Sequence, residues 1–140
     1  MKRVSRLLAF ASLGLLVAAP AVHAASQASA FAGSWEATDP ADGSNLTVSI
    51  LANNNAQIWY TDDEANTACD GQASLVFTSF LVGTIEGDEM GSTMLHAKCG
   101  SRPVPFRGLT IGWELLDQGD ADPSNDLLIN EFGETYTRTD

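Results

Sequence analysis

The chain has 140 residues, with 18 Asp and Glu against 7 Lys and Arg, a net charge of −11. A surface this acidic repels phosphate backbones and anionic lipid headgroups, which excludes nucleic acid and acidic membranes as partners. The length allows one domain built on a single modest core.

The chain opens as an export signal. Lys2, Arg3 and Arg6 give a positive start, residues 7–19 form an apolar run too short to span a bilayer comfortably, and Pro20 breaks it. Val22-His23-Ala24 then offers small residues at cleavage positions. Residues 1–24 are therefore expected to be a signal peptide and the working protein to be secreted or periplasmic. Removing 24 of the 140 residues leaves 116, and four basic against 18 acidic side chains, a net charge of −14. No second apolar run is long enough to cross a membrane, so no membrane insertion is expected after the signal is removed.

Residues 25–32 are rich in small side chains and read as a linker; residues 33–140 read as the folded domain. From there the apolar positions recur with period two almost throughout. Residues 33–38 carry Trp35. Asp39-Pro40 and Asp42-Gly43-Ser44 mark a turn. In residues 45–51, Leu46, Val48 and Ile50 alternate with Thr47 and Ser49, and Asn53-Asn54-Asn55 marks the next turn. Residues 57–61 follow with Ile58, Trp59 and Tyr60, and residues 62–71 are acidic and loop-like. Residues 74–85 are long for one strand, with a bend expected near Ser79 or at Gly83. Gly87-Asp88 form a hairpin tip, placing Glu86 opposite Glu89. Residues 90–99 return, with His96, Met94 and Lys98 on one face and Leu95, Ala97 and Cys99 on the other. Pro103 and Pro105 mark residues 100–105 as a loop. Leu109, Ile111, Trp113 and Leu115 alternate in the next strand, and residues 117–126 form a polar turn region. Residues 126–131 and 134–139 close the chain as a hairpin around Phe132-Gly133, with Glu131 opposite Glu134.

This gives eight or nine short strands with short connections, so sequence neighbours should pair antiparallel. A meander of this many strands must hide its edges, and closure into a barrel hides them completely. The expected fold is all-β: an antiparallel meander of about eight strands in a closed or nearly closed barrel. Two cysteines in an exported chain are expected to pair, so Cys69 and Cys99 should form a disulfide. In the chain-entropy description, closing a loop of about 30 residues contributes roughly 3–4 kcal/mol.

Phe31-Ala32-Gly33-Ser34-Trp35 resembles the Phe-x-Gly-x-Trp opening of the calycin superfamily of small β-barrels, which includes lipocalins, avidins, fatty-acid-binding proteins and a class of small bacterial protease inhibitors. In those families the Trp plugs the barrel floor and a basic residue on the last strand packs over it. The resemblance therefore implies a barrel-floor pair of Trp35 and Arg138. The arrangement of Gly33/Trp35, Asp42-Gly43-Ser44, Cys69/Cys99 and Gly133/Tyr136/Arg138 is also similar to a recurring set of exported bacterial β-domains, whose likeness carries no activity with it.

Catalytic chemistry has little to stand on. His96 is the one histidine after the signal, and a nucleophile–His–acid triad or a His-rich metal site needs more support than that. Carboxylates abound, but nothing in the sequence singles out an acid/base pair. No catalytic residue and no cofactor are expected, and the chain reads as a non-enzyme. Asp117, Asp120, Asp122, Asn125 and Asp126 crowd oxygen donors that suit Ca²⁺, without the EF-hand order of ligands. A plain turn accounts for the same residues.

Trp59 alternates out of phase with Ile58 and Tyr60, which exposes one aromatic face. Trp59, Tyr60 and Trp113 are the candidate contacts for a ligand or partner. The function expected is a binding module holding a small apolar or amphipathic ligand in the barrel mouth. The alternative is a secreted protein-interaction, inhibitor or surface module without a pocket, with contacts around Trp59 or residues 102–107, and with calcium stabilisation open to either.

Overall fold

A computed structural model describes residues 30–52, 55–65, 68–70, 75–105, 108–119 and 122–140. The expected signal peptide and the first part of the linker lie outside the described residues, as do Asn53, Asn54, Gly71, Phe106, Arg107 and Asp120. Among the described residues no helix is long and apolar enough to cross a membrane.

Nine strands follow in order: β1 (Gly33–Thr38), β2 (Asn45–Leu51), β3 (Ala56–Asp62), β4 (Phe77–Glu86), β5 (Glu89–Cys99), β6 (Arg102–Val104), β7 (Thr110–Leu116), β8 (Leu127–Asn130) and β9 (Thr135–Arg138). A short 3-10 turn, Pro123–Asn125, precedes β8. All pairings are antiparallel, and they close an up-and-down barrel in the order β1-β2-β3-β4-β5-β7-β8-β9. The seam is β1 against β9, where Trp35 faces Arg138 and Glu36 faces Thr137. Thr139 extends this short ladder by donating its backbone N–H and hydroxyl to the Ser34 carbonyl at 2.9 and 3.2 Å. Closure pairs the edges that a flat sheet would leave open.

The strands form because their apolar residues alternate. In β2, Leu46, Val48 and Ile50 are buried while Asn45, Thr47, Ser49 and Leu51 are exposed. Trp35, Ile58, Leu81, Met90, Leu128 and Tyr136 join them in one interior. Phe31 lies within the stretch read as a linker, yet it is fully buried and accepts the Trp35 indole N–H at 3.1 Å. Core packing thus begins two residues before β1.

Three details depart from the sequence reading. Residues 102–104 pair with β5, with Pro103 opposite Lys98 and Val104 opposite Ala97. The strand is three residues long and pairs on one side only, and an edge position tolerates the missing proline N–H. In β5, a register shift between Phe80 and Leu81 of β4 leaves Leu95 without a Cα partner, so the expected faces do not hold. Beyond this bulge Met94 joins Ala97 and Cys99 inside, while Leu95, His96 and Lys98 face out. In the last hairpin Asn130, not Glu131, faces Glu134: Glu134 accepts the Asn130 N–H at 3.1 Å, and Gly133 closes the turn onto the Asn130 carbonyl at 3.0 Å with φ +83°. The loop spans residues 131–133, one residue longer than an opposed Glu131–Glu134 pair requires. The other expected acidic pair, Glu86 with Glu89, is present, and Glu89 also faces Glu114 of β7.

The disulfide joins Cys69 to Cys99, with Cα atoms 5.6 Å apart. In a meander, alternate connections share one end of the barrel. Cys69 lies in the β3–β4 connection and Cys99 ends β5, so the bridge ties the connections of one end together.

Candidate functional site

The two ends of the barrel differ. At one, Arg138 lies over Trp35, its guanidinium carbon 4.2 Å from the ring centroid. The guanidinium also donates to the carbonyls of Ala30, Ala32 and Pro123. This is the pair that the calycin resemblance implied. The glycine of the motif has a physical role here. Gly33 sits at φ +137°, and a Cβ there would come within 2.5 Å of the Arg138 Nη1. Only the absent side chain leaves room for the guanidinium to cover the indole.

The other end is open. A cavity of about 460 Å³ is lined by Asp39 and Asp42 of the β1–β2 turn, Tyr60 and Asp62 of β3, Phe77 of β4, Met94 of β5, Leu109 and Ile111 around the start of β7, and Asn130, Phe132 and Glu134 of the last hairpin. Ala68, next to the disulfide, completes the wall, so Cys69–Cys99 pins part of the cavity lining. Phe132 and Leu109 stand exposed at the rim.

A polar chain supports one side of the mouth. The Tyr136 hydroxyl and the Asn130 amide both donate to Glu134 Oε2. Asn130 Oδ1 in turn accepts the backbone N–H groups of Phe132 and Glu134, each at 3.1 Å. The carboxylate is thereby held in one orientation. Tyr136 is pushed well above the ordinary phenol range by burial and by its hydrogen bond to Glu134. Tyr60 is pushed up by burial and by the nearby negative charges of Glu134, Asp62 and Asp39. Burial also raises Asp62, against the hydrogen bond it accepts from the Glu64 N–H at 3.1 Å, and the charges of Asp42 and Asp39 add to the rise.

The three aromatic candidates do not come together. Tyr60 lines the cavity. Trp113 is buried in the core, its indole N–H donating to Ser92 Oγ at 2.9 Å, and Ser92 passing its own proton donor to the Ile111 carbonyl at 3.0 Å. Trp59 lies on the outer wall, 42% exposed, in a row with Phe80 and His96; ring centroids are 5.2 Å apart for Trp59–Phe80 and 5.4 Å for Phe80–His96. Of the calcium candidates, Asp117 accepts the Gly119 N–H at 2.7 Å and Asp122 caps the 3-10 turn, while Asp126 is buried. Among the described residues no three acidic, His or Cys side chains converge as a metal site.

The sequence reading missed Asp39, Asp42, Asp62, Met94, Asn130 and Glu134 as cavity residues. One signal was available: in an up-and-down meander the first, third and last connections share an end, so acids in all three must meet there. Compared with known protein families, with curated proteins and with solved structures, the chain finds no match.

Proposed function

We propose that this protein is an exported, non-enzymatic binding module of calycin-like form that holds a small apolar or amphipathic ligand in the barrel mouth. The observation that carries this reading is the asymmetry of the ends: Phe31, Trp35 and Arg138 fill one, while the other keeps a cavity of about 460 Å³. Such a volume suits a small ligand, and its mix of apolar walls with a few placed polar groups is the common make-up of ligand pockets. The disulfide supports an oxidising destination, periplasmic or secreted.

Native mass spectrometry of the exported protein tests this. The expected result is a retained small molecule, lost on collisional activation and absent from an Ala68→Phe variant whose cavity is filled. Each protein appearing only at its own unliganded mass, together with no uptake of any added apolar probe, would defeat the reading.

A second reading, an interaction module, is supported by the outer row of Trp59, Phe80 and His96 beside the exposed Leu95. It predicts that Trp59→Ala abolishes pull-down of a secreted partner while leaving ligand uptake untouched.

A further inference from the structure

We propose that the barrel mouth selects an organic cation, an ammonium group carried on an apolar body. This rests on the reading of the mouth as a ligand cavity and names the charge of what enters it.

Four carboxylates, Asp39, Asp42, Asp62 and Glu134, line the cavity, and its described lining contains no Lys, Arg or His. Among the described residues, Asp39, Asp62 and Glu134 make no ion pair. The charges that bear on Asp62 are those of Asp42 and Asp39, all of one sign. Asp62 is also buried, which makes an uncompensated negative charge there costly.

The apolar residues describe the other half of the ligand. Phe77, Met94, Leu109, Ile111 and Phe132 offer a dry wall for a hydrocarbon or aromatic body, and the Tyr60 ring adds a face that attracts cations. An independent feature points inward too. Ser79 is 5% exposed, faces the barrel interior cross-strand from Tyr60, and its hydroxyl has no partner among the described residues. A buried hydroxyl left unmatched, cross-strand from the cavity-lining Tyr60, is an acceptor for an ammonium N–H. The same carboxylates repel fatty acids and other anionic amphiphiles.

Three probes share one body and differ in head charge: phenethylamine, 2-phenylethanol and 3-phenylpropionate. Calorimetric titration of the oxidised, signal-free protein should show the amine binding about tenfold or more tighter than the alcohol, a ratio of about 1.4 kcal/mol, and the carboxylate not at all. Raising KCl should weaken the amine and leave the alcohol unchanged. In the Asp62→Asn/Glu134→Gln variant, which keeps the hydrogen-bonding shape, amine affinity should fall to that of the alcohol. If that variant does not fold, the salt series on the unaltered protein decides. Equal binding of amine and alcohol would overturn the cation inference and leave the cavity reading standing, whereas no binding by any probe would overturn both.

Discussion

Arg138 and Trp35 are register partners across the barrel seam, and the guanidinium of the one lies 4.2 Å from the ring centroid of the other. The contact joins last strand to first, and the three carbonyls to which Arg138 donates extend it to residues 30 and 32 and to the turn before β8. Arg138→Ala removes the cation–π contact and leaves those carbonyls without their donor. A loss of about 2–4 kcal/mol is expected from these terms together. Arg138→Lys should recover only part, since one ammonium cannot fork to three carbonyls while lying flat on an indole. Urea unfolding of the three proteins measures this, and equal midpoints would show that the seam does not depend on the pair.

Phe31 gives a second prediction. It is fully buried although it precedes the first strand. Phe31→Ala should cost about 3–5 kcal/mol, in the range of other large-to-small core changes. A loss of under about 1 kcal/mol by the same unfolding assay would place it outside the cooperative core.

Both tyrosines of the chain, Tyr60 and Tyr136, are raised above the ordinary phenol range, chiefly by burial. The unfolded chain loses these protons at ordinary alkaline pH while the folded chain keeps them. Rising pH above the ordinary phenol value therefore favours unfolding. The near-ultraviolet absorbance of tyrosinate should stay absent until the barrel opens, then appear in one step with the loss of β-structure. A tyrosinate signal from the intact barrel would contradict the burial of these rings.

Asp62 works in the same direction at acid pH. Its folded value is raised by burial and by Asp42 and Asp39, so ionisation favours the unfolded chain between the ordinary carboxylate value and the raised one. Asp62→Asn should stabilise the protein at neutral pH, with the gain fading as pH falls through that window. Melting temperatures across the acid range check it. A carboxylate kept against stability in a cavity wall is what a binding role predicts.

Much of the fold is legible from alternation alone. The bounds of β1 and β2 follow from Trp35 and from Leu46, Val48 and Ile50, because a half-buried strand writes its pleat directly into the sequence. The bulge at Leu95 is not legible, since an extra residue flips later faces without changing composition. Nor is β6, where Pro103 argues against pairing and only an edge position permits it. The cavity is hardest to read. Asp39, Asp62 and Glu134 come from a turn, a strand end and a hairpin far apart in the chain, and only barrel closure brings them to one mouth.

Methionine methyl groups offer the most direct test of that mouth. With the signal removed, Met90 and Met94 remain; Met94 lines the cavity, while Met90 is fully buried at the other end of the barrel, opposite Ile85 and Trp113. On titrating phenethylamine into protein labelled with carbon-13 at the methionine methyls, the Met94 resonance should shift and saturate while Met90 holds still. No movement at Met94, or equal movement of both, would contradict a ligand cavity at this end of the barrel.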